Sequence, residues 1–135
     1  MAIPYRIDRE HRLVVASPQG TLTAADLFQY QRECWSRDDV RGFDELVDMT
    51  GVTEVTEPDK DRIRELSNLA ARMDDRDRPS KLAIVCERDL FYGLARMFQT
   101  YREMNPESTR EVRVFRAMPE ALAYLGGGEP GLPHA

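Results

Sequence analysis

The sequence predicts an α/β domain built on a mostly parallel sheet, and three observations carry that expectation. Leu13 to Ala16 and Lys81 to Cys86 contain near-continuous apolar runs of the kind found in strands covered on both faces. Between such runs lie segments whose apolar residues recur at helical spacing, so successive strands are joined by helical crossovers. A short polar turn, Asp8 to Arg12, separates the first two runs, which makes the first strand antiparallel to the second. The expected sheet has five strands and is flanked by about four helices.

Taken in order, Tyr5 to Glu10 and Leu13 to Ser17 read as two short strands, closed by Pro18 and Gly20. Thr23 and Asp26 have the spacing of a capping box, and the helix they open carries Leu27, Phe28, Cys34 and Trp35 as one stripe. Gly42 is expected to end that segment. From Phe43 a strand with Leu46, Val47 and Met49 runs into a Gly-bearing loop, and Gly51 is expected to hold an unusual backbone angle there. A second helix starts around Thr56 to Asp59, with Pro58 in its first turn and Ile63, Leu66, Ala70 and Met73 on one face. Asp74 to Pro79 breaks it. Lys81 to Cys86 is the most strongly apolar strand. Asp89 is expected to cap a third helix, taken over Asp89 to Met104, that Asn105 and Pro106 stop. Val112 to Phe115 is the last strand, and Pro119 to Leu125 a short final helix. One domain is expected over 1–126, with the Gly- and Pro-rich 127–135 as a disordered tail.

Composition restricts the function classes. The chain of 135 residues has a formal charge of -5 and a pI near 5.1, with 41% hydrophobic and 8% aromatic residues. That charge balance argues against nucleic-acid binding. Two cysteines, Cys34 and Cys86, make neither a disulfide framework nor a metal-ligand spacing. The start lacks the pattern of a secretory signal, and no run approaches the ~18 apolar residues of a membrane span. A soluble cytoplasmic domain is the expectation.

The ordered set of motifs resembles the SpoIIAA-like family of STAS-type domains. The likeness is carried by Asp48 to Val52 after the third strand, Lys81 to Val85, Val112 to Phe115 followed by Pro119 to Leu125, and Gly20 to Thr23 leading into the first helix. It implies an α/β sheet related in fold to anti-sigma-factor antagonists and to CRAL-TRIO lipid-transfer domains. It also implies comparison with the phosphorylated serine of such antagonists. The corresponding stretch here, Thr56 to Asp59, contains no serine, so the phospho-serine switch is not expected.

No catalytic constellation is found. The chain has no G-x-S-x-G, Walker loop, H-E-x-x-H or C-x-x-C, and Cys86 is flanked by Glu87 and Asp89 with no histidine nearby in sequence. Cys86 is therefore expected to be a small buried hydrophobe. Glu57, Asp59 and Asp61 complement a helix dipole and would repel an anion. Asp48 is expected to stabilise its loop. No enzyme activity, cofactor or metal is expected.

Two functions are carried forward. The first is a small apolar or lipid-type ligand held in a pocket between the second and third helices and the sheet. Phe91, Leu94, Met97, Phe98, Tyr101 and Met49 are its candidate contacts, because the apolar stripe of the third helix, which runs from Leu90 to Met104, is wider than one packed face needs. The alternative is a regulatory STAS-type module that docks a partner through the loop from Met49 to Glu57, using Asp48, Thr50, Gly51, Thr53, Thr56 and Glu57. A homodimer and peripheral membrane contact remain open alternatives.

Overall fold

The computed structural model describes residues 2–56 and 59–126. Among them the strands are β1 (Tyr5–Asp8), β2 (Leu13–Ala16), β3 (Gly20–Leu22), β4 (Asp44–Asp48), β5 (Val52–Val55), β6 (Lys81–Val85) and β7 (Glu111–Phe115). The helices are α1 (Ala24–Trp35), α2 (Lys60–Met73), α3 (Asp89–Met104) and α4 (Met118–Leu125). The main sheet has five strands in the order β1-β2-β4-β6-β7. β1 is antiparallel to β2, with Tyr5 opposite Ala16, and every later pair is parallel.

Strand order rises steadily along the sheet, and this dictates the layering. Right-handed crossovers that always step the same way place their helices on the same face. Accordingly α1, α2 and α3 cover one face, where Val14, Tyr30, Leu82, Ile84, Phe91 and Ala95 form the larger core. The opposite face is covered by α4, whose Ala121 and Leu125 pack on Leu13, Val15, Leu46, Ala83 and Val85. The alternation along β4 follows: Leu46 belongs to the α4 side, whereas Val47 joins the three-helix side. A sheet that never reverses its winding has no topological switch point, the usual ligand crevice of open α/β sheets.

Local chemistry sets the helix starts. Thr23 and Asp26 make the expected capping box: the Asp26 amide donates to Thr23 Oγ1 at 3.1 Å and the Thr23 amide to Asp26 Oδ2 at 3.1 Å. α3 has the bounds expected from its sequence, but its N-cap is Arg88, without a side-chain cap bond, and Asp89 is the first helical residue, not the cap.

Five expectations need correction. The Gly-bearing loop after β4 contains a strand, β5, which pairs in parallel with β3 as a separate two-stranded sheet; at three and four residues both are too short to stand out. α2 starts later than Thr56, with Asp59 as its N-cap accepting from the Asp61 amide at 2.9 Å, and Glu57 and Pro58 lie outside the described residues. α1 ends at Trp35, before a 3-10 turn over Asp38–Val40. Gly42 serves the turn that follows, closed by the Phe43 amide donating to the Val40 carbonyl at 3.0 Å, at φ 78° and with no room for a Cβ beside Arg78. Gly51 does not have a positive φ; a Cβ there would meet only the end of the exposed, flexible Gln19 side chain. Finally, the apolar stripe of α3 is narrower than it reads. Leu90 and Met104 at its ends are 61% and 73% exposed, and the buried line is Phe91, Ala95 and Arg102. The tail expected over 127–135 lies outside the described residues.

Candidate ligand-binding site

Beneath the three-helix layer lies a cavity of about 150 Å³. It exists because the inward faces of α1, α2 and α3 meet the sheet without filling the space between them. α1 contributes Leu27, Phe28, Tyr30 and Trp35, and α2 contributes Ile63, Leu66, Ala70 and Met73. α3 adds Phe91, Leu94, Ala95, Phe98 and Arg102, while Glu45, Val47, Met49, Leu82 and Ile84 form the floor. The α2 quartet is the apolar face read from its sequence.

The cavity is graded from end to end. Toward the carboxyl ends of the strands its wall is apolar, with Leu22, Met49, Val55, Ile84 and Phe91. Toward their amino ends stands a buried polar network. Glu45 Oε2 accepts from the Tyr30 hydroxyl at 2.6 Å and from Trp35 Nε1 at 3.2 Å, and Glu45 Oε1 accepts from Arg110 Nη1 at 2.7 Å. Arg110 also donates to Ser80 Oγ at 2.9 Å and to the Phe43 carbonyl at 3.2 Å, and its guanidinium lies 4.0 Å over the Trp35 ring. Asp74 Oδ2 accepts from the Thr109 and Arg110 amides at 2.9 and 3.1 Å, and both Asp74 oxygens accept from Arg102 Nη2 at 2.9 and 3.0 Å.

The electrostatics follow from this burial. Burial and then the Glu45 charge push the Tyr30 hydroxyl well above its usual range, so it stays a donor. Burial holds the Arg102 guanidinium below its usual value, partly offset by Asp74. Cys34 behind Tyr30 and Cys86 at the end of β6 are fully buried, and burial pushes each thiol up to about 12. Neither is poised as a nucleophile. Among the described residues no cluster of three metal-ligating side chains occurs.

The residues singled out from sequence fall into three groups. Phe91, Leu94, Phe98 and Met49 line the cavity; Met97 and Tyr101 do not. Tyr101 instead packs under the Arg64 guanidinium, 5.9 Å from its ring centre. In the loop, Asp48 Oδ1 accepts from the Thr50 amide at 3.0 Å and its hydroxyl at 2.7 Å, a self-contained turn. Gly51 and Thr56 are tied by backbone bonds to Gly20 and Leu22, and the Thr53 carbonyl accepts from Arg88 at 3.0 Å. Thr50 and Thr53 are exposed, Thr56 lines the cavity, and Glu57 lies outside the described residues. The sequence reading missed Glu45, Asp74, Arg102 and Arg110. Two of them carried a signal: Glu45 is in phase with Val47 and Met49 along β4, and Arg102 lies in helical phase with Phe91, Ala95 and Phe98.

No family model matches the sequence, and no curated protein does. Among solved structures, the chain is similar to an uncharacterized protein of the DUF3478 family with a SpoIIAA-like fold from Shewanella loihica PV-4. The two share 17% identity at a TM-score of 0.57, over 92% of this chain and 94% of that one. The chain thus has a SpoIIAA-like fold. No helix among the described residues is long and apolar enough to cross a membrane.

Proposed function

We propose that this chain is a non-enzymatic binding module that holds a small apolar guest under its three-helix layer. The observation that carries this reading is the cavity of about 150 Å³ walled by apolar side chains from three helices and the sheet. Ligand sites are concave, mostly apolar and furnished with a few polar groups, and this space has that character. Its volume matches a guest the size of one benzene ring, which an apolar cavity of about 150 Å³ accommodates. A two-chain phospholipid is too large for it. The carboxylates at its end, Glu45 and Asp74, are occupied by neighbouring donors, and the buried thiols are held protonated, which supports binding without chemistry.

The test is uptake of toluene followed by NMR of the protein, with Ala70→Leu as the control that fills the space. Wild type should show saturable shifts at Phe91, Leu94 and Phe98, and the filled variant none while keeping its helical signal. An unresponsive wild type, or equal uptake by the folded Ala70→Leu variant, overturns the reading.

A second reading is docking of a protein partner through the loop from Met49 to Glu57. The exposed Leu90, at 61%, lies two residues from Arg88, which anchors Thr53. A pull-down lost on Leu90→Asp and Thr53→Lys but retained by Ala70→Leu would favour it over the cavity.

A further inference from the structure

The polar end of the cavity contains one unsatisfied side chain, and the kind of atom it lacks is legible. Arg102 is 2% exposed; its guanidinium lies 5.9 Å from the centre of the Phe98 ring, and of its donors only Nη2 is hydrogen-bonded, to Asp74. Its Nε and Nη1 are buried without a hydrogen-bond partner. Buried donors left open are rare and call for an explanation. Ser67 Oγ is also unpartnered but does not line the cavity.

The surrounding acceptors are already in use. The Asp74 carboxylate receives four bonds, two from Arg102 and one each from the Thr109 and Arg110 amides. Glu45 receives three, from Tyr30, Trp35 and Arg110. The missing group is therefore an acceptor brought from outside. A lone water there would have the two open Arg102 donors as partners, the low end of the about two to four that a buried water needs, because Phe98, Leu66 and Ala70 also form the wall. The charged lining residues are Arg62, Arg102 and Arg110 against Glu45 and Asp74, three cations to two anions, so an oxygen anion is tolerated as well as a neutral carbonyl. On the outer side of Trp35, Met73, Asp74 and Arg110 lies a polar depression of about 230 Å³, so the polar end is also the wetter end.

We propose that the guest is a small acyl compound: a single ring or short chain whose carboxylate or ketone oxygen accepts a hydrogen bond from Arg102, with the apolar body toward Phe91 and Met49. This rests on the cavity being a binding site, and it adds the chemical class and the orientation.

The experiment compares three probes of similar size on the full chain: benzoate, acetophenone and α-methylstyrene, the hydrocarbon isostere of acetophenone. Affinities come from NMR titration, and the Arg102 Nε–H resonance is followed directly. At least one of the two oxygen-bearing probes should bind about tenfold or more tightly than the hydrocarbon, as expected for a hydrogen bond to a charged donor, and should shift that resonance. Benzoate ahead of acetophenone identifies an acid as the preferred guest; the reverse order identifies a neutral carbonyl. Arg102→Lys, which keeps the charge facing Asp74, should remove the preference; if that variant does not fold, the wild-type comparison decides alone. Equal binding of all three probes with Arg102 Nε–H unmoved overturns this inference and leaves the cavity reading standing. Binding of none overturns both.

Discussion

Cys34 and Cys86 are fully buried, and burial raises both thiols from 9.0 to about 12. The unfolded thiols therefore lose their protons first as pH rises. Their contribution to stability is fully present below about pH 9 and is lost as pH climbs toward 12. Tyr30 is raised from 10.0 and acts in the same direction. Urea midpoints at pH 8, 9.5 and 10.5 should fall progressively, and Cys34→Ala or Cys86→Ala should flatten the fall. Native Cys86 should also react slowly with iodoacetamide at neutral pH. At Glu45 the expected effects are larger. Glu45→Ala leaves Arg110 buried without its carboxylate and should cost about 3–5 kcal/mol. Tyr30→Phe removes one donor from the same carboxylate and should cost about 1.5–3 kcal/mol. Chemical denaturation of both variants checks the ranking.

At the scale of the elements, α3 carries the most accessible test. Gly93 is on its exposed side, with no atom within 4 Å of where a Cβ would stand. Gly93→Ala should raise stability by about 1 kcal/mol without touching the cavity. If α3 opens to admit guests, the same change should also slow hydrogen exchange along the helix and slow guest entry. The elements were largely legible in the sequence because each rests on local chemistry: the Thr23–Asp26 capping box, the apolar run of β6, the Asn105–Pro106 stop after α3. What was not legible rests on distant partners. Gly42 is hemmed in by Arg78, and β3 is a strand only because β5 lies beside it. The polar end of the cavity follows the same rule, since Arg110 and Glu45 are 65 residues apart and Arg102 and Asp74 are 28 apart. Their helical and strand phases marked Arg102 and Glu45 as inward-facing charges, but nothing local named their partners.

For the whole molecule, a guest that binds only the folded state stabilises all of it. At a hundredfold excess over its Kd, the gain is about 2.7 kcal/mol. The urea midpoint should rise accordingly with whichever probe binds. Its denaturant slope should stay unchanged, because filling an internal space barely alters the surface exposed on unfolding. A slope that changes with guest would mean that the helical layer rearranges around it.

The steady order of the strands also bears on how the protein is made. β2, β4, β6 and β7 join the sheet in the sequence in which they leave the ribosome, each added at the growing edge, with none inserted between earlier neighbours. Such an assembly can proceed vectorially, at modest loop-closure cost for each step. The cavity is the exception to that gradual growth. Glu45 arrives early, but Arg102 and Arg110, which neutralise the polar end and wall it off, arrive only with α3 and β7. A nascent chain stopped before residue 102 would display an unpaired Glu45 and an open apolar trough. The chamber therefore closes late in synthesis, and a chain truncated there should be prone to aggregate.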